Sequence, residues 1–189
     1  MKIRKIVFGI AVVLLAVSSY AHAYIPTGLK WPTNVYTVVI SGFGADWVKS
    51  CNGLVKKHAG IDLLLSAGTP IYAAYSGTVR ARGLSDPTGQ SDWGQYVTIS
   101  HNYGPYTDRW TSTYHHIDPI VNANQYVSRG QLIGYVHSTT AFRTHLHFGV
   151  RDASYSNTSN RGALPQTVCA GDPGFKEYFV DPYTLSYSP

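Results

Sequence analysis

The stretch HAGIDLLLSAGTPIYAAYSGTV, residues 58–79, decides the fold. Ile61 to Leu65 is a short apolar run stopped by Ser66-Ala67-Gly68, and Thr69-Pro70 opens a second extended segment, Ile71 to Tyr75, followed by a third from Gly77 to Arg82. Apolar runs this short, punctuated by Gly, Ser and Pro, read as strands. Upstream, Tyr36 to Ser41 is a further strand ended by Gly42-Phe43-Gly44, and residues 45–57 are polar and irregular. Downstream, residues 83–94 are a Gly-, Ser-, Asp- and Pro-rich surface loop. Gln95 to His101 then alternates as a strand, Thr111 to Ile117 and Gln131 to Val136 add two more, and His145 to Arg151 is the last clear one. Residues 152–174 form a long Ser/Asn/Gly/Pro loop. Many short strands with regular turn signals predict an all-β sandwich or barrel.

Composition agrees. The chain has 189 residues, enough for one domain with a real core. With 13% charged residues, 18 Gly, 15 Tyr and a single Met, it is poor in the straight-chain residues that long helices favour.

Lys2, Arg4 and Lys5 precede an apolar run from Ile6 to Val17, and Ala21-His22-Ala23 is a small-x-small cleavage pattern. We therefore expect residues 1–23 to be a signal peptide and 24–189 a single domain. The run is shorter than the roughly 20 residues of a spanning helix, so no stable membrane insertion is expected after cleavage. Cleavage removes three positive charges and no acid, lowering the net charge from +5 to +2. No clustered Lys/Arg face remains, which argues against nucleic acid as a partner. Export also exposes the two cysteines, Cys51 and Cys169, to oxidising conditions, where an even pair favours a disulfide.

Chemistry concentrates in the histidines. In His145-Leu146-His147, strand alternation puts both imidazoles on one face while Leu146 and Phe148 face the other way. In His58-Ala59-Gly60-Ile61-Asp62 a spacing of four puts imidazole and carboxylate on one face, and Gly60 with the Leu63-Leu64-Leu65 run favours an extended segment entering the core. Each pair is a weak signal, since turn and surface histidines are common. Together they are stronger: catalytic zinc takes three protein ligands and keeps one open position, and His58, Asp62 and one of His145 or His147 meet that count. In Tyr114-His115-His116-Ile117, alternation lets only one of the two histidines reach such a site.

These residues resemble the lysostaphin-type, LytM or M23, zinc endopeptidases. The likeness runs from about Val39 to Val150. It is carried by Ser41-Gly42-Phe43-Gly44, the stretch 58–79, GQYVTISH at 94–101, YHHI at 114–117, RGQLIGYV at 129–136 and HLHFGV at 145–150. The resemblance implies an antiparallel β fold with the active-site groove over the sheet. It implies one zinc ion on His58, Asp62 and His147. It makes His145 and His116 the catalytic acid–base histidines, with His115 facing away. It also implies peptidoglycan cross-bridge or stem peptides as substrates, which fits the exported, periplasmic or secreted, enzyme expected from residues 1–23; a monomer is expected. The approach to HLHF, Ala141-Phe142-Arg143-Thr144, departs from the family's usual small residues. Gly149 stands where a glutamate is common, and no Tyr lies between Asp46 and Lys57. These departures touch the groove and leave the five metal and catalytic positions filled. Two competing classes are a secreted protease acting on Gly-rich proteins and a non-catalytic LytM-type binding module.

Overall fold

A computed structural model describes residues 25–51, 54–86, 88–155, 167–169 and 178–189. The signal-peptide expectation for residues 1–23 lies outside the described residues. The strands are β1 (Val39–Ser41), β2 (Asp46–Cys51), β3 (Leu54–His58), β4 (Ile61–Leu64), β5 (Pro70–Tyr72), β6 (Gly77–Leu84), β7 (Gln95–Tyr103), β8 (Tyr106–Pro119), β9 (Tyr126–Val127), β10 (Leu132–Val136), β11 (His145–Arg151), β12 (Thr167–Cys169) and β13 (Phe179–Val180). The helical pieces described in full are short 3-10 turns, Ser91–Trp93 and Pro182–Thr184. The expected all-β fold is what forms.

The main sheet is antiparallel throughout and runs β1-β4-β11-β8-β7-β6-β9, with β10 pairing both β5 and β8, and β13 pairing β11. Its apolar face packs Ile61, Leu63, Ile99, Trp110, Tyr114, Leu146, Phe148 and Val150 into one core. On β11 those residues alternate with His145, His147 and Gly149, so one strand supplies the core with one face and the site with the other. A second, three-stranded sheet has the order β12-β3-β2.

Three strand expectations need correction. Within residues 45–57 the described parts are two strands, β2 and β3, which pair antiparallel. Their Lys-rich sequence lacks alternating apolar residues because they join the small second sheet rather than the central core. The 152–174 region contains β12, paired to β3. The His58–Asp62 segment is also not one continuous strand. His58 ends β3 in one sheet, Ala59 and Gly60 turn the corner, and Asp62 sits in β4 of the other. Gly60 is required at that corner, because a Cβ there would run into the Phe148 carbonyl and meet the His147 ring at 2.9 Å.

Candidate metal centre and active site

Register brings the candidate ligands together. His147 of β11 lies opposite Asp62 of β4 on one side and opposite His115 of β8 on the other. Directly opposed residues in a sheet share a face, so Asp62, His147 and His115 form one lateral row. His58 arrives from β3 around the Gly60 corner. Its Nε2 lies 2.9 Å from His147 Nδ1 and 3.1 Å from Asp62 Oδ1, and His147 Nδ1 lies 3.0 Å from the same carboxylate oxygen. All three residues are buried.

Backbone contacts fix the ring tautomers. His58 Nδ1 lies 2.9 Å from the Gly42 carbonyl and 3.2 Å from Ser41 Oγ. The carbonyl can only accept, so Nδ1 carries the proton and Nε2 presents a lone pair to the triangle. The Ser41–Gly44 turn holds the His58 backbone as well: Gly44 N–H donates to the His58 carbonyl, and His58 N–H donates to that of Ala45. The His147 Nε2 atom is buried with no hydrogen-bond partner. Three potential acceptor atoms therefore converge with at most one proton, that of His147, to share among them. Burial alone would raise the Asp62 carboxyl, but its hydrogen bonds and charge interactions with His147 and His58 reverse this and hold it well below the usual carboxylate range. Burial also pushes the His147 imidazole down, against the opposing pull of Asp62, which favours its neutral, ligating form.

This donor set fits zinc. Imidazole and carboxylate are normal zinc ligands, and bonds of 2.0–2.2 Å in tetrahedral array place ligand atoms roughly 3.3 Å apart, close to the triangle seen here. The three residues are the group whose ligand atoms all lie within 4.8 Å of one another among the described residues.

A second pair of histidines flanks the triangle. His145 Nε2 is 3.7 Å from Asp62 Oδ1, and its Nδ1 lies 2.6 Å from the Arg143 carbonyl. His116 Nδ1 lies 2.9 Å from the Trp93 carbonyl, and the His116 backbone N–H donates to Ser85 Oγ at 3.0 Å. Both rings therefore hold the proton at Nδ1 and leave Nε2 as the working nitrogen. Their centroids are 4.7 Å apart. The loop supplying Ser85 and Trp93 is pinned by Asp86, whose carboxylate accepts the Thr88 N–H and hydroxyl and the Gln90 N–H. Asp62, His116 and His145 open onto a groove of about 340 Å³ walled by Ile40, Trp93, Phe142 and Arg143. Phe142 packs edge-on to Trp93 at 5.3 Å and to His116 at 4.7 Å.

His115 does not face away as the resemblance implied. Its ring meets that of His147 edge-on at 5.3 Å and stacks on Tyr96 at 5.3 Å. Simple alternation fails because β8 bulges here. Val97 pairs with Tyr114 and Gln95 with Ile117, so Tyr96 alone faces two residues, His115 and His116. His116 takes a left-handed conformation, φ 62°, which brings its side chain round to the groove while His115 keeps the register of the metal row. The backbone carbonyls of Gly42, Trp93 and Arg143, which orient three of the histidines, carry no sequence signal of their own.

The model of peptidase family M23 matches residues 56–160. Lysostaphin from Staphylococcus staphylolyticus is 32% identical over 116 residues, covering 60% of this chain and 22% of that protein. The lipoprotein NlpD/LppB homolog from Pseudomonas aeruginosa is 36% identical over 125 residues, 66% of this chain and 36% of its own length. This chain thus spans well under half the length of these relatives. Among solved structures, a zinc-containing peptidase from Vibrio cholerae superposes with a TM-score of 0.52 at 26% identity, covering 65% of this chain and 36% of that one. The matched region covers more than half of the chain and takes in every histidine and carboxylate of the site, and the chain belongs to peptidase family M23.

Proposed function

We propose that this chain is an exported, zinc-dependent endopeptidase that hydrolyses peptide bonds in peptidoglycan cross-bridges or stem peptides. The observation that carries the reading is the converged His58–Asp62–His147 triangle beside a second histidine pair, with Asp62, His116 and His145 lining one groove. His58, Asp62 and His147 would hold the ion through Nε2, Oδ1 and Nδ1. Zinc bound there supplies Lewis acidity toward a scissile carbonyl and a water acidified to near neutral pKa.

The chain's own groups do the rest. His116 and His145, each with Nε2 unprotonated, stand beside the groove as proton acceptors, and the protonated ring then serves as donor to the leaving amine. The Trp93 and Arg143 carbonyls keep each ring from rotating or changing tautomer during that cycle. Ile40, Trp93 and Phe142 give one side of the groove an apolar wall. Export is supported by the basic and apolar pattern of residues 1–23. A bridge between Cys51 and Cys169 is supported by the disulfide-bonded state of Cys169, since Cys51 is the other of the two cysteines in the sequence.

Metal analysis and a zymogram test the proposal together. The purified protein should carry about one zinc per chain, lose activity to a chelator and regain it with zinc, and clear a gel containing purified peptidoglycan. His147→Ala should lose both metal and clearing. A folded, metal-free protein that binds peptidoglycan without cutting it would identify a binding module instead. Cleavage of Gly-rich protein without clearing of peptidoglycan would identify a general secreted protease.

A further inference from the structure

We infer that Arg143 is a specificity-determining residue that selects peptides bearing a free carboxylate beside the scissile bond. The inference rests on the peptidase reading and names the substrate class of the same groove. Arg143 lies at the edge of two depressions. One is the catalytic groove, with Asp62, His116 and His145. The other, about 580 Å³, is lined by Leu64, Leu65, Ser66, Ala67 and Thr144. Arg143 is common to both, so a chain passing from one to the other crosses this residue. Its position relative to the chemistry is fixed, because its own carbonyl holds His145 Nδ1 at 2.6 Å.

Charge then decides what Arg143 can bind. Among the residues lining either depression the ionisable carboxylate is Asp62, and that group is buried and committed to His58 and His147. Asp92, next to Trp93 in sequence, lines neither depression and accepts from the Thr139 hydroxyl. Among the described residues the exposed Arg143 guanidinium makes no hydrogen bond or ion pair, while Arg82 and Arg129 are both committed to protein acceptors. A planar fork of five N–H donors matches a carboxylate bidentately, a geometry that an ammonium or a neutral donor does not reproduce. The remaining walls of the catalytic groove are apolar or aromatic, so this cation is the polar anchor that fixes a peptide's direction across the site. A chain of glycines offers it only carbonyls. A peptide with a free α- or side-chain carboxylate next to the cleaved bond offers it a matched partner.

The test uses one pair of synthetic branched peptides, with the carboxylate beside the scissile bond either free or amidated, and pentaglycine as a neutral reference. The wild-type holoenzyme should cleave the free-acid peptide with kcat/KM about tenfold above the amide, a preference that shrinks as salt rises. Arg143→Ala should lose most of its rate on the free acid and far less on the amide, so that the ratio falls to near one. Arg143→Lys should restore part of the ratio, and Arg143→Glu should invert it. Equal losses on both peptides would overturn the inference, since they would mean that the side chain only supports His145. A wild-type ratio near one, or a preference for pentaglycine, would also overturn it. Direct binding of the same pair to His145→Ala protein separates the two claims. A free-acid preference in binding without wild-type turnover on any peptide sinks the peptidase reading and leaves Arg143 as the selector. Turnover without that preference does the reverse.

Discussion

At the residue scale the five histidines and one carboxylate of the site divide by which nitrogen is free. Three rings give their Nδ1 proton to a backbone carbonyl, whereas His147 turns Nδ1 inward. This division predicts separable phenotypes. His116→Ala and His145→Ala should keep zinc, measured by elemental analysis, yet lose about 10²–10⁴-fold in turnover. Loss of metal in either variant would move that residue into the ligand set. His115, whose ring packs against His147, belongs between the two classes. His58, Asp62, His145 and His147 were legible in the sequence because their spacings reflect strand period and the turn between strands. The facing of His115 was not legible, because it depends on cross-strand register with β11, which no local pattern encodes.

At the scale of elements, the site depends on two irregularities: the Ala59–Gly60 corner between sheets and the bulge at His115–His116. Gly60→Ala should destabilise the fold by about 1–3 kcal/mol, since neither the Phe148 carbonyl nor the His147 ring can retreat from a new methyl group without distorting β11. The check is a denaturant midpoint together with zinc affinity. An unchanged midpoint with full zinc would show that the corner has slack. The central strands were readable because β7 and β11 alternate apolar with polar residues. The β2–β3 pair and β12 were not, since a small outlying sheet imposes no strong apolar pattern on Lys49, Lys56 or Lys57. The bulge was hidden for another reason: a left-handed histidine has no compositional signature of the kind glycine provides.

For the whole molecule, stability draws on contacts far from the groove. His101 is buried against Trp110, with Nδ1 3.0 Å from the Ser76 carbonyl and Nε2 2.8 Å from Ser112 Oγ, which in turn lies 3.2 Å from the Tyr114 hydroxyl. Burial drives its pKa down to about 4, the Ser76 contact opposing. The folded chain thus binds fewer protons at this ring than the unfolded chain, whose value is near 6.5. Its stabilisation is complete above that pH and disappears as pH falls toward 4, a change on the order of 3 kcal/mol. Thermal unfolding followed from pH 7 to pH 4 should show a steeper decline for wild type than for His101→Gln; parallel curves would assign the acid sensitivity elsewhere. The proposed Cys51–Cys169 bridge closes a long loop and should contribute about 4–5 kcal/mol. Reductant should lower the melting temperature without releasing zinc, and two thiols alkylating before reduction would exclude the bridge. Arg129 has a different role: its guanidinium donates to the carbonyls of Gly28, Ser188 and Pro189, clasping the two ends of the described chain where Leu29 runs parallel to Tyr187. Segments that run side by side in the same direction leave that contact at opposite ends. Tension applied between residues 25 and 189 would therefore shear this clasp, straining the Leu29–Ser186, Ser188–Leu29 and Arg129 bonds together rather than peeling them apart one by one.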